Sequence, residues 1–208
     1  MAEKLIEAVC DGNIGRSTVA ELIIQNELNK RGAHEYRAIS SGTSAYEIAN
    51  GTVPYKDMRR VIDAAVKRDL YTDDEIRQIV DEIRFGNEKG VKKFFEKGLK
   101  VFIGNDLKYR AEALVHFGIE GTLKETPEQT IARPDTAAVF SMQEKHNKKV
   151  QKIYKGTGFT PVIDVLSRYA NGEIAPNTSA LGGGREEYFK VFEQIMHDVP
   201  LALDKLLR

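Results

Sequence analysis

The stretch VCDGNIGRSTVAEL, from Val9 to Leu22, decides how the fold of this chain is interpreted. Before the loop in this stretch, Lys4 to Val9 is short and mostly apolar, as is typical of a buried strand. After the loop, Ser17 to Lys30 carries apolar residues with a helical period, which predicts an α-helix. Tyr36 to Ser40 is a second strand candidate. A strand, a glycine-containing loop, a helix and a further strand predict a βαβ unit and therefore a parallel sheet.

The same alternation of strands and helices resumes after residue 105. Further elements are predicted as strands at Thr136 to Ser141 and Pro161 to Leu166, and as helices at Tyr109 to Phe117, Gln143 to Tyr154 and Arg185 to Leu207. Pro200 is expected to kink or split the last helix. The predicted fold class is therefore α/β, with three α/β/α layers, a central parallel sheet of about four strands, and the glycine-containing loop after the first strand.

The middle of the chain has a different pattern, because residues 54–104 are strongly charged and carry helical apolar stripes. Thr72 and Glu75 form a capping-box signature before one of these stripes. Gly98 is expected to end the last stripe, and Val101 to Ile103 is a candidate strand. We expect a single domain over residues 1–208, with 54–104 as a helical insertion within it.

Composition narrows the class of protein. The 208 residues are 41% hydrophobic and 30% charged, which favours a packed globular core. Lys plus Arg and Asp plus Glu each number 31, so net charge gives no reason to expect a nucleic acid or an anionic membrane as partner. The chain has no apolar run of membrane-spanning length, no secretory signal pattern and one cysteine, and these features predict a cytoplasmic protein.

The loop after the first predicted strand has the chemistry of an anion site. Backbone N–H groups at the start of a helix lack helical partners and lie at the positive end of its dipole. Gly12 and Gly15 are expected to allow the unusual backbone angles that bring such groups together. Arg16 adds a planar fork that matches two phosphate oxygens. In this setting Cys10 is expected to be a reactive thiolate, although a lone cysteine at a strand end is otherwise commonly a small core residue.

Two further side chains support the nucleophile hypothesis. Ser17 is placed to donate a hydrogen bond to the Cys10 sulfur. Asn13 is placed to brace the loop by bonding across it. Because these residues agree with the preceding strand and the following helix, the functional interpretation is favoured over an accidental motif.

The stretch VCDGNIGRSTVAEL resembles the phosphate-binding loop of a known family, the low-molecular-weight protein tyrosine phosphatases. The loop pattern of that family is Cys-x-Gly-Asn-x-Cys-Arg-Ser-Pro-x-Ala-Glu. The matching residues are Cys10, Gly12, Asn13, Arg16, Ser17, Ala20 and Glu21. The stretch SSGTSAYEIANG resembles the loop after the family's second strand, where Tyr46 takes the place of an aromatic residue that lines the substrate crevice. VFSMQEKHNKKV and GGGREEYFKVFEQI resemble the family's third strand with its helix and the start of its last helix. The resemblance covers residues 1–52 and about 108–208.

The resemblance implies a phosphatase with Cys10, Arg16 and Ser17 as catalytic residues. Cys10 would attack phosphorus and form a phosphocysteine, and Ser17 would stabilise the thiolate when water hydrolyses that intermediate. The phosphate would be held by the loop residues Asp11, Gly12, Asn13, Ile14, Gly15, Arg16 and Ser17. No cofactor or metal is expected. The expected substrates are a phosphotyrosine protein or a small aryl phosphate, with inorganic phosphate and other oxyanions as inhibitors.

The sequence departs from the family pattern at three places. Gly15 stands where the family has a second loop cysteine, so a disulfide within the loop is excluded, and Thr18 replaces a proline. The family's catalytic Asp-Pro pair corresponds to Ala175 and Pro176, followed by Asn177, so the usual general acid is missing. The candidate replacements are Glu173, Asp164 and Asp135, and the sequence does not choose among them.

Three functions are therefore weighed. The first is a phosphatase, slow if the acid is absent. The second is a phosphate-binding or phosphoprotein-binding module with weak or no turnover. The third, an arsenate reductase on the same fold, is disfavoured because the thioredoxin-coupled reaction needs further cysteines and the chain has only Cys10.

Overall fold

The computed structural model describes residues 3–124, 126–170 and 184–208. The strands are β1 (Lys4–Cys10), β2 (Tyr36–Gly42), β3 (Thr136–Ser141) and β4 (Val162–Val165). The helices are α1 (Arg16–Lys30), α2 (Ala45–Ala49), α3 (Tyr55–Val66), α4 (Asp73–Arg84), α5 (Glu88–His116), α6 (Glu144–Tyr154) and α7 (Arg185–Leu206). A 3₁₀ turn, Leu166–Tyr169, follows β4.

The four strands form one parallel sheet, as the sequence predicts, and their order in the sheet is β2-β1-β3-β4. Alternate residues of β1 face opposite sides of this sheet. Ile6 and Ala8 pack with α1 and α7, whereas Val9 packs with α6. The fold is therefore the predicted α/β/α sandwich. Because β1 is an inner strand, the loop that leaves its carboxyl end lies near the middle of the molecule, where sites form in open parallel sheets.

Helices α3, α4 and α5 build a second hydrophobic cluster beside the sandwich, with Ile62, Phe95 and Phe102 fully or almost fully buried in it. The predicted capping box at the start of α4 is present, since the Thr72 and Glu75 side chains each accept from the other's backbone N–H. These three helices account for residues 54–104 and continue beyond them, because α5 runs without interruption to His116.

The continuity of α5 corrects two predictions. Gly98 does not end the helix; a Cβ atom there would lie 2.7 Å from the Tyr71 hydroxyl, so the glycine allows α5 to pack closely on its neighbours. Val101 to Ile103 is not a strand, because Leu99, Phe102 and Ile103 share one helical face that packs on the apolar residues beside it. A short apolar run does not distinguish a buried helix from a strand.

Pro200 does not split the last helix. It lies inside α7, and its carbonyl group accepts a hydrogen bond from Arg31 of the adjoining α1 segment. The buried face of α7 includes Tyr188, Val191 and Phe192, which pack in the main core. Tertiary packing therefore outweighs the local cost of proline in this helix.

Candidate active site

The candidate site lies where β1 passes into α1. Cys10 is the last residue of β1, the loop occupies residues 11–15, and Arg16 is the first residue of α1. The loop is fixed to β2 and the segment after it, because the Cys10 and Asp11 carbonyls accept hydrogen bonds from the N–H groups of Thr43 and Ser44. The loop is therefore held between the end of a strand and the N-terminus of a helix.

The Cys10 thiol has two hydrogen-bonding neighbours. Its Sγ atom lies 3.1 Å from the Ser17 hydroxyl and accepts from the Asn13 backbone N–H at 3.3 Å. The Asn13 N–H donates to the sulfur, and the Ser17 hydroxyl is placed to donate to it as well. The Ser17–sulfur contact expected from the sequence is present, while the catalytic roles of these residues belong to the proposal below.

Asn13 braces the loop, as the sequence predicts. Its side-chain amide donates to the Ser17 hydroxyl at 3.1 Å and to the Ser40 hydroxyl at 2.9 Å. Its side-chain oxygen accepts from the Glu128 N–H at 2.8 Å. Asn13 therefore ties the loop to β2 and to the segment before β3.

The reason for the loop glycines differs from the prediction. Asn13 adopts the left-handed conformation (φ 53°), whereas neither Gly12 nor Gly15 has a positive φ. Asparagine tolerates this region because its short polar side chain bonds locally. Gly15 is required by space instead, because a Cβ atom there would lie 2.5 Å from the Tyr188 hydroxyl.

Tyr188 was not found by sequence reasoning about the site. Its side chain is only 1% exposed, and burial raises its pKa well above the usual value, with the charge of Asp106 adding to the effect. The residue is therefore a neutral phenol whose hydroxyl faces the backbone of Gly15. Its only sequence signal is its position in the buried stripe of the last helix.

Arg16 lies at the base of the site with 4% of its surface exposed. One of its guanidinium nitrogens, Nη1, is buried and makes no hydrogen bond to any residue that the structure describes. Buried arginine N–H groups without acceptors are energetically costly. A tetrahedral oxyanion over the loop would supply an acceptor for this group.

Above the loop lies a cavity of about 540 Å³ between the sandwich and the helices α3 and α5. The loop contributes Cys10 and most of residues 11–16 to its lining. Its far wall is largely apolar and is built from Val53, Pro54, Val61, Phe95, Leu99 and Ile103. The helical segment therefore lies over the mouth of the loop.

Asp11 organises the charged side of this cavity. It accepts hydrogen bonds from the Lys145 and Lys149 side chains, and the buried His146 ring lies 3.5 Å from it. Burial alone would raise the pKa of Asp11, but His146 and Lys145 outweigh burial and hold the pKa well below its usual range. Asp11 is thus an anion at neutral pH. His146 lies in α6 and is fully buried.

Tyr46 does not line the cavity, contrary to the prediction for the substrate crevice. Its side chain is 67% exposed on α2, whereas Ser44, Glu47 and Ile48 contribute to the lining. Residues three and four apart share a face of a helix, so Tyr46 lies on the opposite face. Ile48 takes the place in the wall that was expected for the aromatic ring.

The three carboxylates suggested as general acids are placed differently. Asp135 precedes β3 and therefore lies at the amino ends of the strands, away from Cys10. Asp164 lies near the carboxyl end of β4, where it is paired with Arg168 at 2.7 Å and does not line the cavity. Glu173, together with Ala175, Pro176 and Asn177, lies outside the described residues. Asp106 of α5, which sequence reasoning missed, lines the cavity.

The described residues contain no group of three or more His, Cys, Asp or Glu side chains arranged to hold a metal ion. In the same described parts of the chain, no helix is long and apolar enough to span a membrane.

The comparisons with known proteins agree with this geometry. The family model for low molecular weight phosphotyrosine protein phosphatase matches residues 5–85, which includes the loop and extends into the segment expected to be an insertion. No curated protein sequence matches the chain.

Solved structures extend the likeness to the whole fold. A YwlE mutant from Bacillus subtilis has 15% identity and a TM-score of 0.58, with 99% of this chain and 100% of that chain covered. Wzb of Vibrio vulnificus, in complex with benzylphosphonate, has 12% identity and a TM-score of 0.56 over 98% of this chain and 99% of that one. A low molecular weight phosphotyrosine phosphatase from Vibrio cholerae O395 has 13% identity and a TM-score of 0.58, with coverage of 99% and 97%.

The solved structures show that this chain has the α/β fold found in those phosphatases, and the family model places the likeness in sequence at the cysteine-containing loop and the elements around it. The family model that matches residues 5–85 is that of the family which the sequence resembles, and the solved structures share the fold of this chain.

Proposed function

We propose that the protein is a phosphomonoesterase that works through a phosphocysteine on Cys10. The observation that carries the proposal is the placement of the Cys10 sulfur, 3.1 Å from the Ser17 hydroxyl and 3.3 Å from the Asn13 N–H, in a cavity that also contains Arg16. A thiol stabilised as an anion beside a buried cation at a helix N-terminus is suited to attack phosphorus.

In the first step, the Cys10 thiolate attacks phosphorus and the bond to the ester oxygen breaks. In the second, water attacks phosphorus, the sulfur–phosphorus bond breaks, and the thiolate forms again. Charge on the equatorial oxygens is stabilised in both steps by Arg16 and the loop N–H groups of residues 11–17. Ser17 stabilises the departing thiolate in the second step, and neither step requires a metal ion.

The cavity supports a substrate whose leaving group is a compact apolar or aromatic group. The walls facing the loop are formed by Ile48, Leu99 and Ile103 among others, and Lys145 and Lys149 supply positive charge at one side. A free aryl phosphate would fit such a cavity. The phosphotyrosine side chain of a protein would also fit, if it can enter between the loop and helices α3 and α5. We include in the proposal that the insertion, residues 54–104 of a single domain, restricts which phosphoproteins enter.

The proposal also includes inhibition by inorganic phosphate and related oxyanions, and the cytoplasmic location expected from the sequence. Turnover is slow if no carboxyl group replaces the missing aspartate. The competing function is a phosphate-binding module without turnover. It is favoured by the absence of the family's catalytic aspartate, since Ala175 precedes Pro176 and Asn177 follows it.

The deciding experiment is the release of phosphate from p-nitrophenyl phosphate by the purified protein. We expect turnover in the wild type and none in Cys10→Ser. Ser17→Ala should slow the second step, so that a phosphoenzyme accumulates after acid quenching. Because Cys10 is the only cysteine, a thiol-linked phosphate is assigned to it without further mapping.

Tight binding of phosphate without any release from p-nitrophenyl phosphate, phosphotyrosine or phosphoarginine would contradict catalysis and support the binding module. Phosphoarginine belongs in the panel because a further structure with 15% identity and a TM-score of 0.57 is described as the YwlE arginine phosphatase, a cysteine-to-serine mutant with a phosphorylated active-site serine.

A further inference from the structure

Asp106 brings a carboxyl group from α5 to the edge of the phosphate-binding loop. Its Oδ2 atom lies 3.9 Å from the position that a Cβ atom on Gly15 would occupy, and the residue lines the same cavity as Cys10 and Arg16. It is 8% exposed. The carboxyl group is therefore next to the loop and largely shielded from water.

The position of Asp106 is fixed by a direct link between α5 and the loop. Arg110, one helical turn further along, donates from Nη1 to the Ile14 carbonyl at 2.5 Å and from Nη2 to the Lys124 carbonyl at 3.2 Å. The Arg110 side chain is itself 6% exposed. Because residues four apart share a helix face, this anchor holds Asp106 against the loop as well.

The other carboxylates of the cavity are less suited to give a proton to a leaving group. Asp11 is held in its ionised form by Lys145 and its neighbours. Glu47 is exposed on α2, and Asp57 on α3 has a half-exposed side chain that lies 3.6 Å from Arg60. Among the described residues that line this cavity, Asp106 is the carboxylate with the least exposed side chain.

We propose that Asp106 is the general acid and base of the reaction, supplied by the helical insertion and its continuation in place of the missing aspartate. This inference rests on the proposed phosphatase activity. In the first step the ester oxygen keeps the electron pair of the broken P–O bond and takes the proton from the Asp106 carboxyl group. In the second step the Asp106 carboxylate takes a proton from the water that attacks phosphorus, and Cys10 leaves as thiolate.

Several charged or titratable groups face this site and belong to its pH dependence. Arg110 lies on the same helix, Tyr188 lies on α7, and Cys10 and Arg16 belong to the loop. The charge of Asp106 acts to raise the pKa of both Tyr188 and Arg110. Across the cavity, α3 presents Asp57 and Arg60, and α6 presents Lys145 and Lys149. The pH profile of a variant at Asp106 must therefore be compared with the pH profiles of variants at these other charged groups.

The test compares kcat/KM for phenyl phosphate and p-nitrophenyl phosphate in the wild type and in Asp106→Asn. General acids contribute about 10²- to 10⁴-fold, and most when the leaving group is basic. We expect Asp106→Asn to lose about 100-fold or more with phenyl phosphate and much less with p-nitrophenyl phosphate. The loss of activity at high pH, which reports deprotonation of the acid, should disappear in Asp106→Asn and remain in Asp106→Glu.

The matched control is Asp57→Asn, which removes another carboxylate of the same cavity. It should keep the wild-type ratio between the two substrates, and Glu173→Gln should keep it as well. Vanadate binding by Asp106→Asn reports whether the loop is intact.

An equal loss on both substrates, or an unchanged high-pH limb, would overturn the assignment and leave Asp106 with a structural role. A changed ratio in Glu173→Gln but not in Asp106→Asn would transfer the role to Glu173. Absence of turnover in the wild type is a different result, because it refutes the proposed function itself.

Discussion

The contact between Gly15 and Tyr188 predicts a specific coupling between the loop and the last helix. In Gly15→Ala, the new methyl group would lie 2.5 Å from the Tyr188 hydroxyl and 3.4 Å from the ring carbon that carries it. The ring has little room to move, because its centroid lies 4.8 Å from that of Phe192 and 5.8 Å from that of Tyr109. Overpacking of this kind typically costs about 1–3 kcal/mol of unfolding free energy.

Removing the hydroxyl should reverse the effect. Tyr188→Phe alone should be nearly neutral, because the structure gives the buried hydroxyl no hydrogen-bond partner among the described residues. In the double variant the methyl group no longer meets the oxygen atom, so most of the loss should be recovered. The expected coupling in a double-mutant cycle is about 1–3 kcal/mol.

Urea unfolding and thermal melting of the four proteins provide the assay. For a chain of this size, Gly15→Ala should lower the Tm by roughly 2–12 °C. The matched control is Gly104→Ala, since Gly104 lies inside α5 with nothing within 4 Å of its Cβ position. That substitution should stabilise the protein by about 0.5–1 kcal/mol. A double variant no more stable than Gly15→Ala would refute the steric explanation of Gly15.

Three further predictions follow from the site. Arg16→Lys should weaken vanadate binding by about 10- to 100-fold, because an ammonium group cannot make the bidentate contact. Isothermal titration measures this affinity, and equal binding by the two proteins would contradict the role of Arg16. Leu99→Ala should change the ratio of kcat/KM between naphthyl and phenyl phosphates by about tenfold in favour of the larger ester, whereas Leu107→Ala, an exposed position on the same helix, should leave the ratio unchanged. Because the folded-state pKa of Asp11 lies below its ordinary value of 3.8, its contribution to stability is present above that pH and is lost as the pH falls. In urea unfolding, Asp11→Asn should therefore be less stable than the wild type at pH about 7, with the difference shrinking in acid; a difference independent of pH would show that the carboxylate is not stabilised by its neighbours.

Much of the fold follows from local patterns in the sequence. The strands around Ala8, Ile39 and Val139 are short apolar runs bounded by loop residues, and such runs are predictable because buried parallel strands need apolar side chains on both faces. The loop was also predictable, since Cys10, Asn13, Arg16 and Ser17 lie within eight consecutive residues. Their mutual contacts depend on a strand end and a helix start that are both encoded nearby.

The course of α5 was not predictable in the same way. Gly98 is a common helix terminator, and only its close approach to Tyr71 explains why the helix continues. Propensity is a weak prior that packing overrides. The exposed position of Tyr46 likewise depends on which face of a five-residue helix meets the cavity.

By itself the sequence determined the α/β class, the parallel sheet and the position of the Cys10 loop between β1 and α1, because each depends on residues close together in the chain. Only the tertiary structure decided which distant groups meet that loop. Tyr188 fills the space left by Gly15, and Asp106 and Arg110 approach from α5, although each is more than 90 residues away from the loop. Sequence periodicity can assign a residue to a buried helix face, but the partner of that face is set by how the helices pack.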